Sequence, residues 1–261
     1  METSTAVTST GSTDRSRQMD ERSWWDLWNT SYRAEDNRDE TSTELFRHVV
    51  ALMQQVAPSR NRMLEVACGT GTLSRSLGFT SYHGLDISAA AVEIARQKAE
   101  AVQLPSGTGR PTYEAADFHD WPLPAEPFDI VLCVDAISCF RDQAFVLRKV
   151  AQSLRAGGRA IITTVNPVVY NRIRRVGGVK LENGPVSHWL SRRELHQLLK
   201  QADLTLERSY TIMPRGNMGI LRVINARRLD RVLGSRGAFV LRRLKERLGL
   251  GQYRVVVARK P

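Results

Sequence analysis

The stretch LEVACGTGTLS, residues 64–74, places an acidic residue ahead of two glycines at a spacing that suits a ligand-binding turn. Glu65, Gly69 and Gly71 form the pattern E-x-x-x-G-x-G, and glycine lets the backbone pass close to a ligand where a Cβ would collide. A dinucleotide fingerprint requires a third glycine, where this chain has Ser74, and a Walker phosphate loop requires G-K-[ST], which the stretch lacks. A carboxylate ahead of the turn suits a ligand with a cationic amino group and a sulfonium centre, and not a pyrophosphate.

Strand-like and helix-like segments alternate from residue 62 onward, and these elements must position the turn. The predicted strands are 63–67, 82–87, 112–118, 128–138, 159–165, 204–212 and 252–259. A short helix is expected directly after the glycine turn, and further helices are predicted over 88–102, 141–155 (ended by the Ala-Gly-Gly of 156–158) and 191–203. This alternation predicts an α/β fold with a mostly parallel sheet and helices on both faces, interrupted by a basic insertion over 214–250.

Five motifs in this order resemble the class I S-adenosylmethionine-dependent methyltransferases. Besides the glycine turn they are GLDIS (84–88), AADF (115–118), FDIVLCVDAIS (128–138) and LRKVAQSLRAGGRAIITT (147–164), and the resemblance covers about 62–213 plus the final strand. It implies a Rossmann-like, doubly wound sheet of seven strands, mostly parallel with an antiparallel last strand, helices on both faces and a helical insertion before that last strand. It also implies S-adenosylmethionine as the cofactor.

The same resemblance assigns cofactor contacts to side chains at the predicted strand ends. Asp86 takes both ribose hydroxyls, a task that suits a carboxylate because it accepts two hydrogen bonds, or it merely caps the next helix together with Ser88. Asp117 accepts from the adenine amine and Phe118 packs beside the ring, while Asp135 either contacts methionine or substrate, or only caps a strand. The implied cofactor residues are Glu65, Ala67, Gly69, Gly71, Asp86, Ile87, Asp117, Phe118 and Asp135. No metal site is expected.

The acceptor side offers His119, His188 and Tyr170 as candidate general bases, with His188 preferred, and two covering segments. His188, in the loop NGPVSHWLS that would overhang the site, is either a base for a hydroxyl acceptor or a loop anchor. The N-terminal segment 22–36 is either a lid over cofactor and acceptor or a helix docked on the core by its aromatic residues. The predicted substrate or lid residues are Trp24, Trp28, Tyr32, Tyr170 and Trp189.

Charge is divided unevenly along the chain. Residues 1–140 carry 12 Lys and Arg against 20 Asp and Glu, whereas residues 141–261 carry 26 against 7. Within the basic half, 221–233 and 238–250 predict basic amphipathic helices. Such helices either cap their own domain and expose charge, lie on anionic lipid or bind a phosphate backbone. Nucleic-acid binding is disfavoured because no RNA-binding module is recognisable and no aromatics interleave with the arginines.

Composition sets the remaining expectations. The longest apolar runs are too short for a transmembrane segment, and residues 1–20 predict a disordered tail without a secretory signal, so a cytoplasmic protein is expected. Cys68, Cys133 and Cys139 are expected to be reduced thiols. Residues 21–261 are predicted to form one methyltransferase domain, divided into N-terminal helices (21–58), cofactor-binding core (59–213), basic insertion (214–250) and last strand (251–261).

The leading functional hypothesis is methyl transfer from S-adenosylmethionine to an oxygen or nitrogen of a small molecule. A sugar, a lipid-linked saccharide or a secondary metabolite would be such an acceptor. Methylation of RNA by the basic half is the alternative, and a non-catalytic protein that only binds the cofactor ranks last because no cofactor motif is broken.

Overall fold

The computed structural model describes residues 20–32, 40–57, 61–102, 109–170, 188–214 and 227–261. The strands are β1 (Arg62–Val66), β2 (Ser81–Asp86), β3 (Thr112–Ala115), β4 (Phe128–Val134), β5 (Leu154–Val165), β6 (Thr205–Pro214) and β7 (Gly251–Arg259). The helices are α1 (Glu21–Leu27), α2 (Glu40–Val56), α3 (Ala89–Glu100), α4 (Gln143–Ser153), α5 (Pro167–Tyr170), α6 (Arg192–Gln201) and α7 (Arg227–Arg247). A π-helical turn, Trp28–Tyr32, continues α1, and a 3-10 turn, Ile137–Cys139, follows β4.

The seven strands form one sheet in the order β3-β2-β1-β4-β5-β7-β6. Strands β1 to β5 pair in parallel, and β7 runs antiparallel to both of its neighbours, β5 and β6. This arrangement confirms the predicted Rossmann-like sheet with an antiparallel last strand. The strand order reverses between β1 and β4, and the crevice at the carboxyl ends of such strands is where a doubly wound sheet binds its ligand.

The core lies on both faces of the sheet, as expected for a parallel sheet covered by helices. Alternate residues of β4 point to opposite faces: Val131 and Cys133 belong to one buried cluster, and Ile130 and Leu132 to the other. All four side chains are at most 2% exposed. The unbroken apolar sequence of β4 is therefore the direct result of burial on both sides.

Several predicted element boundaries are wrong, for local reasons. The predicted strand 128–138 ends at Val134 because Asp135 takes a positive φ of 57°, and the strand predicted over 112–118 ends at Ala115. A series of turns over 69–76 stands where a helix was expected after the glycine turn. The Ala-Gly-Gly of 156–158 lies inside β5, since helix α4 stops at Ser153 and Leu154 already pairs with Phe128.

The basic insertion contains a kinked helix. Helix α7 bends at Gly234, whose φ of 64° and ψ of 177° are non-helical, so it consists of two helical segments that meet at this kink. Residues 221–226 of the first predicted helix lie outside the described residues, as does the predicted tail apart from Asp20, which caps α1. Within the described parts of the chain, no helix has the length and apolar character needed to cross a membrane.

Candidate functional site

The glycine turn follows β1 at the carboxyl edge of the sheet. Ala67, Gly69 and Gly71 have positive φ values of 57°, 52° and 66°, which let the chain turn tightly there. Asp86, at the end of β2, holds the turn: its Oδ2 accepts a hydrogen bond from the Gly69 N–H (2.7 Å) and its Oδ1 accepts one from the Ser88 N–H (2.9 Å). One buried carboxylate therefore fixes the turn after β1 against the start of the next helix.

Behind the turn lies a layer of buried polar groups. The Tyr82 hydroxyl donates to Glu65 Oε2, and Glu65 is only 3% exposed. The Ser74 hydroxyl, at the position of the absent third glycine, bonds the Tyr113 hydroxyl and donates to the Gly71 carbonyl (3.0 Å). Ser74 thus supports the turn through its side chain where a glycine could not.

Arg75 also stabilises the turn, and sequence reasoning missed this residue. Its Nη1 donates to the carbonyls of Thr70 (3.0 Å) and Gly71 (2.9 Å). Burial lowers the pKa of Arg75 from its usual value, with the nearby Tyr113, Tyr82 and Glu65 opposing that change. Its position one turn after the glycines was the available signal, but an arginine there fits a solvent-exposed side chain equally well.

The side of the site next to β3 contains Asp117, Phe118 and His119. Asp117 Oδ1 accepts from the backbone N–H of His119 (2.8 Å) and lies 3.1 Å from its ring Nδ1. Phe118 is 3% exposed and packs in the core, stacked on Trp121 with ring centroids 6.3 Å apart. The Phe118 ring is thus a core contact, and the prediction that Asp117 and Phe118 contact adenine stays a prediction.

Asp135 lies at the carboxyl end of β4 and is half-buried. Its positive φ is held by its backbone N–H, which donates to the carbonyl (3.1 Å) and the hydroxyl (2.9 Å) of Thr163 on β5. The Tyr253 hydroxyl donates to Asp135 Oδ2 at 3.3 Å. This strained, tightly held position lies at the switch point of the sheet.

His188 is attached to the same strand end by its backbone. Its N–H donates to the Ser138 carbonyl (3.4 Å), and its own carbonyl accepts from Gln143 Nε2 (2.7 Å). Its ring Nε2 lies 3.1 Å from Glu194 Oε1, the carboxylate that also forms a capping box with Ser191 at the start of α6. Hydrogen bonds from Ser191, together with the His188 contact, lower the pKa of Glu194 to about 2.

Helix α1 lies against the start of α3, beside Asp86. Asp26 Oδ1 accepts from the Ser88 hydroxyl (2.6 Å) and from the Ala90 N–H (3.0 Å), so α1 contributes a carboxylate to the positive end of α3. At its other end, Glu21 pairs with Arg141 at 3.0 Å, close to the turn after β4. Helix α1 therefore spans the carboxyl edge from β2 to β4, and sequence reasoning missed both anchors.

The predicted lid and substrate residues are only partly described. Trp24 and Trp28 are half-buried and stack with ring centroids 5.4 Å apart, and Trp189 is also half-buried. The side chains of Tyr32 and Tyr170 lie outside the described residues. His196 on α6 lies 2.9 Å from the Ser209 hydroxyl and is half-buried.

The cysteines near the site are poor nucleophiles. Burial raises the pKa of the Cys68 thiol well above its usual value, and the neighbouring carboxylates of Asp86 and Glu65 raise it further. Burial likewise raises the pKa of Cys139 to about 12. Within the described residues, no three His, Cys, Asp or Glu side chains cluster in a way that would hold a metal ion.

Comparison with known proteins gives the following matches. A family profile described as a methyltransferase domain matches residues 34–209. The phthiotriol/phenolphthiotriol dimycocerosates methyltransferase 1 of Mycobacterium ulcerans is 32% identical over 113 residues, which cover 42% of this chain and 39% of that protein. A ubiquinone biosynthesis O-methyltransferase of Coxiella burnetii is 27% identical over 115 residues, which cover 43% of this chain and 47% of that protein. The chain thus spans less than half the length of these two relatives.

A solved structure has the same fold. The magnesium protoporphyrin IX methyltransferase of Synechocystis PCC 6803, determined with bound S-adenosylmethionine, aligns over 93% of this chain and 98% of that chain with a TM-score of 0.60. At 16% identity this likeness concerns the fold alone.

Proposed function

This chain belongs to the methyltransferase-domain family, with the class I fold and S-adenosylmethionine as its cofactor, and on that premise we propose that the protein methylates a hydroxyl group of a small, largely apolar acceptor. The cofactor residues fit this ligand. Gly69 and Gly71 keep the turn free of side chains, and the buried Asp86 carboxylate retains lone pairs for ribose hydroxyls after accepting two backbone N–H groups.

We assign the cofactor-holding roles as follows. The turn of Gly69 and Gly71 would lie along the methionine and ribose, with Glu65 fixing its approach from β1, and Ile87 and Ala67 would line the cofactor beside Asp86 and the turn. When bound, S-adenosylmethionine supplies a methyl carbon activated by its sulfonium. The protein's own contribution is to align an acceptor with that carbon and to exclude water.

The observation that supports a hydroxyl acceptor is the contact between His188 and Glu194. Because Glu194 accepts the Nε2 proton of the ring, Nδ1 of a neutral imidazole keeps a free lone pair that can take a proton. Hydrogen bonds of the His188 main chain with Ser138 and Gln143 attach this residue beside the turn that follows β4. A hydroxyl placed there would lose its proton to His188 as its oxygen attacks the methyl carbon.

Two features support an apolar acceptor. The stacked Trp24 of α1 and Trp28 of the following π-helical turn offer flat apolar surface at the carboxyl edge, and Trp189 follows directly after His188. The named relatives act on phthiotriol dimycocerosates and in ubiquinone biosynthesis, and the second is an O-methyltransferase by name. We therefore place the acceptor among hydroxyl-bearing apolar compounds.

The test is transfer of labelled methyl groups to a panel of hydroxyl-bearing lipids and quinol precursors, with matched histidine variants. We expect His188→Gln to lower kcat by about a hundredfold or more and to remove the acidic limb of the pH profile, because a general base is lost. Glu194→Gln keeps a capping-box partner for Ser191 but removes the charge that orients His188, so it should lower kcat less and leave KM unchanged. His196→Gln is the control.

The proposal fails if His188→Gln transfers methyl groups as fast as the unaltered protein does. It also fails if the label reaches only amines, since an amine acceptor would not need this base.

A further inference from the structure

Helix α7 exposes apolar side chains on its outer surface. Val240, Leu244 and Leu248 are 64%, 51% and 65% exposed, and their spacing of four residues places them on one line along the helix. The Leu248 N–H donates to the Leu244 carbonyl (2.9 Å), so the helical path continues to that residue. Phe239, which directly precedes Val240, is 60% exposed. A helix that only caps its own domain buries such a stripe.

The inner surface of α7 holds the helix in place through polar and charged groups. Arg242 Nη2 pairs with Glu44 Oε1 of α2 at 2.7 Å, and the Glu246 carbonyl accepts from the Thr211 hydroxyl of β6 at 2.8 Å. Lys245, between these contacts, is only 6% exposed. Because these groups fix the rotation of the helix, the apolar line cannot turn inward without breaking them.

Three arginines lie next to the exposed apolar line. Arg236, Arg243 and Arg247 are exposed, and spacings of seven and four residues put them on one line of the same outer surface. The Arg243 guanidinium stands 5.4 Å over the Phe239 ring, which leaves it at the level of the apolar side chains. Apolar residues beside a row of cations are typical of helices that bind a surface with an apolar interior and anionic groups on its outside.

This surface belongs to the same edge of the sheet as the candidate site. Helix α7 lies between the carboxyl end of β6 and the amino end of β7, and β7 is antiparallel, so both ends meet at that edge. Asn166, directly after β5, donates its Nδ2 to the carbonyls of Gly249 (2.9 Å) and Gly251 (2.8 Å). The end of the insertion is thereby fixed to the strand that neighbours β4.

We propose that this outer surface of α7 docks on an anionic lipid bilayer. Val240, Leu244 and Leu248 enter the headgroup region while the three arginines face lipid phosphates, and the carboxyl edge of the sheet is brought to the membrane. A phosphate backbone of RNA would satisfy the arginines but would leave the apolar line in water. Delivery of an apolar acceptor from the bilayer rests on the proposed function, whereas membrane binding itself does not.

The test is flotation of the full chain with vesicles, without cofactor or acceptor. We expect binding to equal parts phosphatidylcholine and phosphatidylglycerol, and none to phosphatidylcholine alone. Leu244→Ser should weaken binding about tenfold by removing buried apolar surface. The triple variant Arg236→Gln, Arg243→Gln, Arg247→Gln should weaken vesicle binding about a hundredfold, because each arginine contributes a factor of about five. Leu123→Ser, at a 50% exposed leucine before β4, is the matched control.

Three results would overturn the inference. One is the absence of vesicle binding while cofactor binding and methyl transfer stay intact, which also leaves the proposed function standing. Another is self-association that Leu244→Ser abolishes without any vesicle binding, since a second copy would then cover the stripe. The third is salt-dependent RNA binding in place of vesicle binding. Because all substituted side chains are exposed, circular dichroism should show that each variant folds like the unaltered protein.

Discussion

Substitution of Gly71 by alanine should destabilise the protein through two separable costs. An alanine held at the φ of 66° lowers the unfolding free energy by about 1–2 kcal/mol. A Cβ there would also lie 2.8 Å from the Tyr113 hydroxyl oxygen and 3.0 Å from the Ala95 Cβ. The Tyr113 ring must then shift away from Ser74, which loses a buried hydrogen bond worth about 1 kcal/mol. The total is about 2–3 kcal/mol of unfolding free energy.

Urea denaturation of the unaltered protein and four variants checks this magnitude. Gly71→Ala should lower the unfolding free energy by the full amount of about 2–3 kcal/mol. In a Tyr113→Phe background, where the hydroxyl is absent, the same substitution should lower it by about 1 kcal/mol less. Gly78→Ala is the matched control, because nothing lies within 4 Å of a Cβ at that position. Equal stability of Gly71→Ala and Gly78→Ala would contradict both costs, and an unchanged effect of Gly71→Ala in the Tyr113→Phe background would contradict the contact with the hydroxyl.

Two further predictions concern the contacts of α1 and of α2. Asp26→Ala should lower the free energy of unfolding, measured with urea, by about 1–2 kcal/mol, because Ser88 and Ala90 lose their acceptor at the start of α3. Asp26→Asn should recover part of this loss. Equal stability of the unaltered protein and both variants would contradict the role of Asp26 as an anchor. His48 bonds Tyr210, and burial lowers the pKa of His48 below its usual 6.5. The unfolded state therefore binds this proton more readily than the folded state does. Stability should fall as the pH drops below about 6.5. His48→Gln should reduce that slope between pH 7.5 and 5.5, and an unchanged slope would show that another group causes it.

Periodicity and turn chemistry predicted the sheet because each signal is local. The unbroken apolar run of β4 reflects burial on both faces, and Ser88 and Ser191 are the side-chain caps of α3 and α6. Strand ends were predicted less well, since the positive φ of Asp135 depends on its hydrogen bonds with Thr163, 28 residues later in the chain. Long-range pairings of this kind leave no local pattern.

The same distinction applies to the candidate site. Glu65, Gly69, Gly71 and Asp86 were singled out because their spacing follows from one strand-turn-strand unit, and they lie at one edge of the sheet in the structure. Asp26 was missed, since its partner Ser88 lies 62 residues away and a helical aspartate is usually solvated.

The outward apolar stripe of α7 could not be predicted either. A helical pattern defines two faces but not which one is buried. Here Arg242 pairs with Glu44, the Glu246 carbonyl accepts from Thr211, and Lys245 is buried, so the apolar line of α7 lies outside.

The most direct test of the central claim is calorimetric titration of S-adenosylhomocysteine into the protein and two aspartate variants. We predict one binding site, weakened about tenfold or more by Asp86→Asn, because hydrogen bonds to a charged acceptor are worth about 1.5–3 kcal/mol. Asp203→Asn, at an exposed position with a φ of 55° that asparagine tolerates, should bind like the unaltered protein. No binding by the unaltered protein, or equal affinity of Asp86→Asn, would contradict the assignment of this edge as the cofactor site.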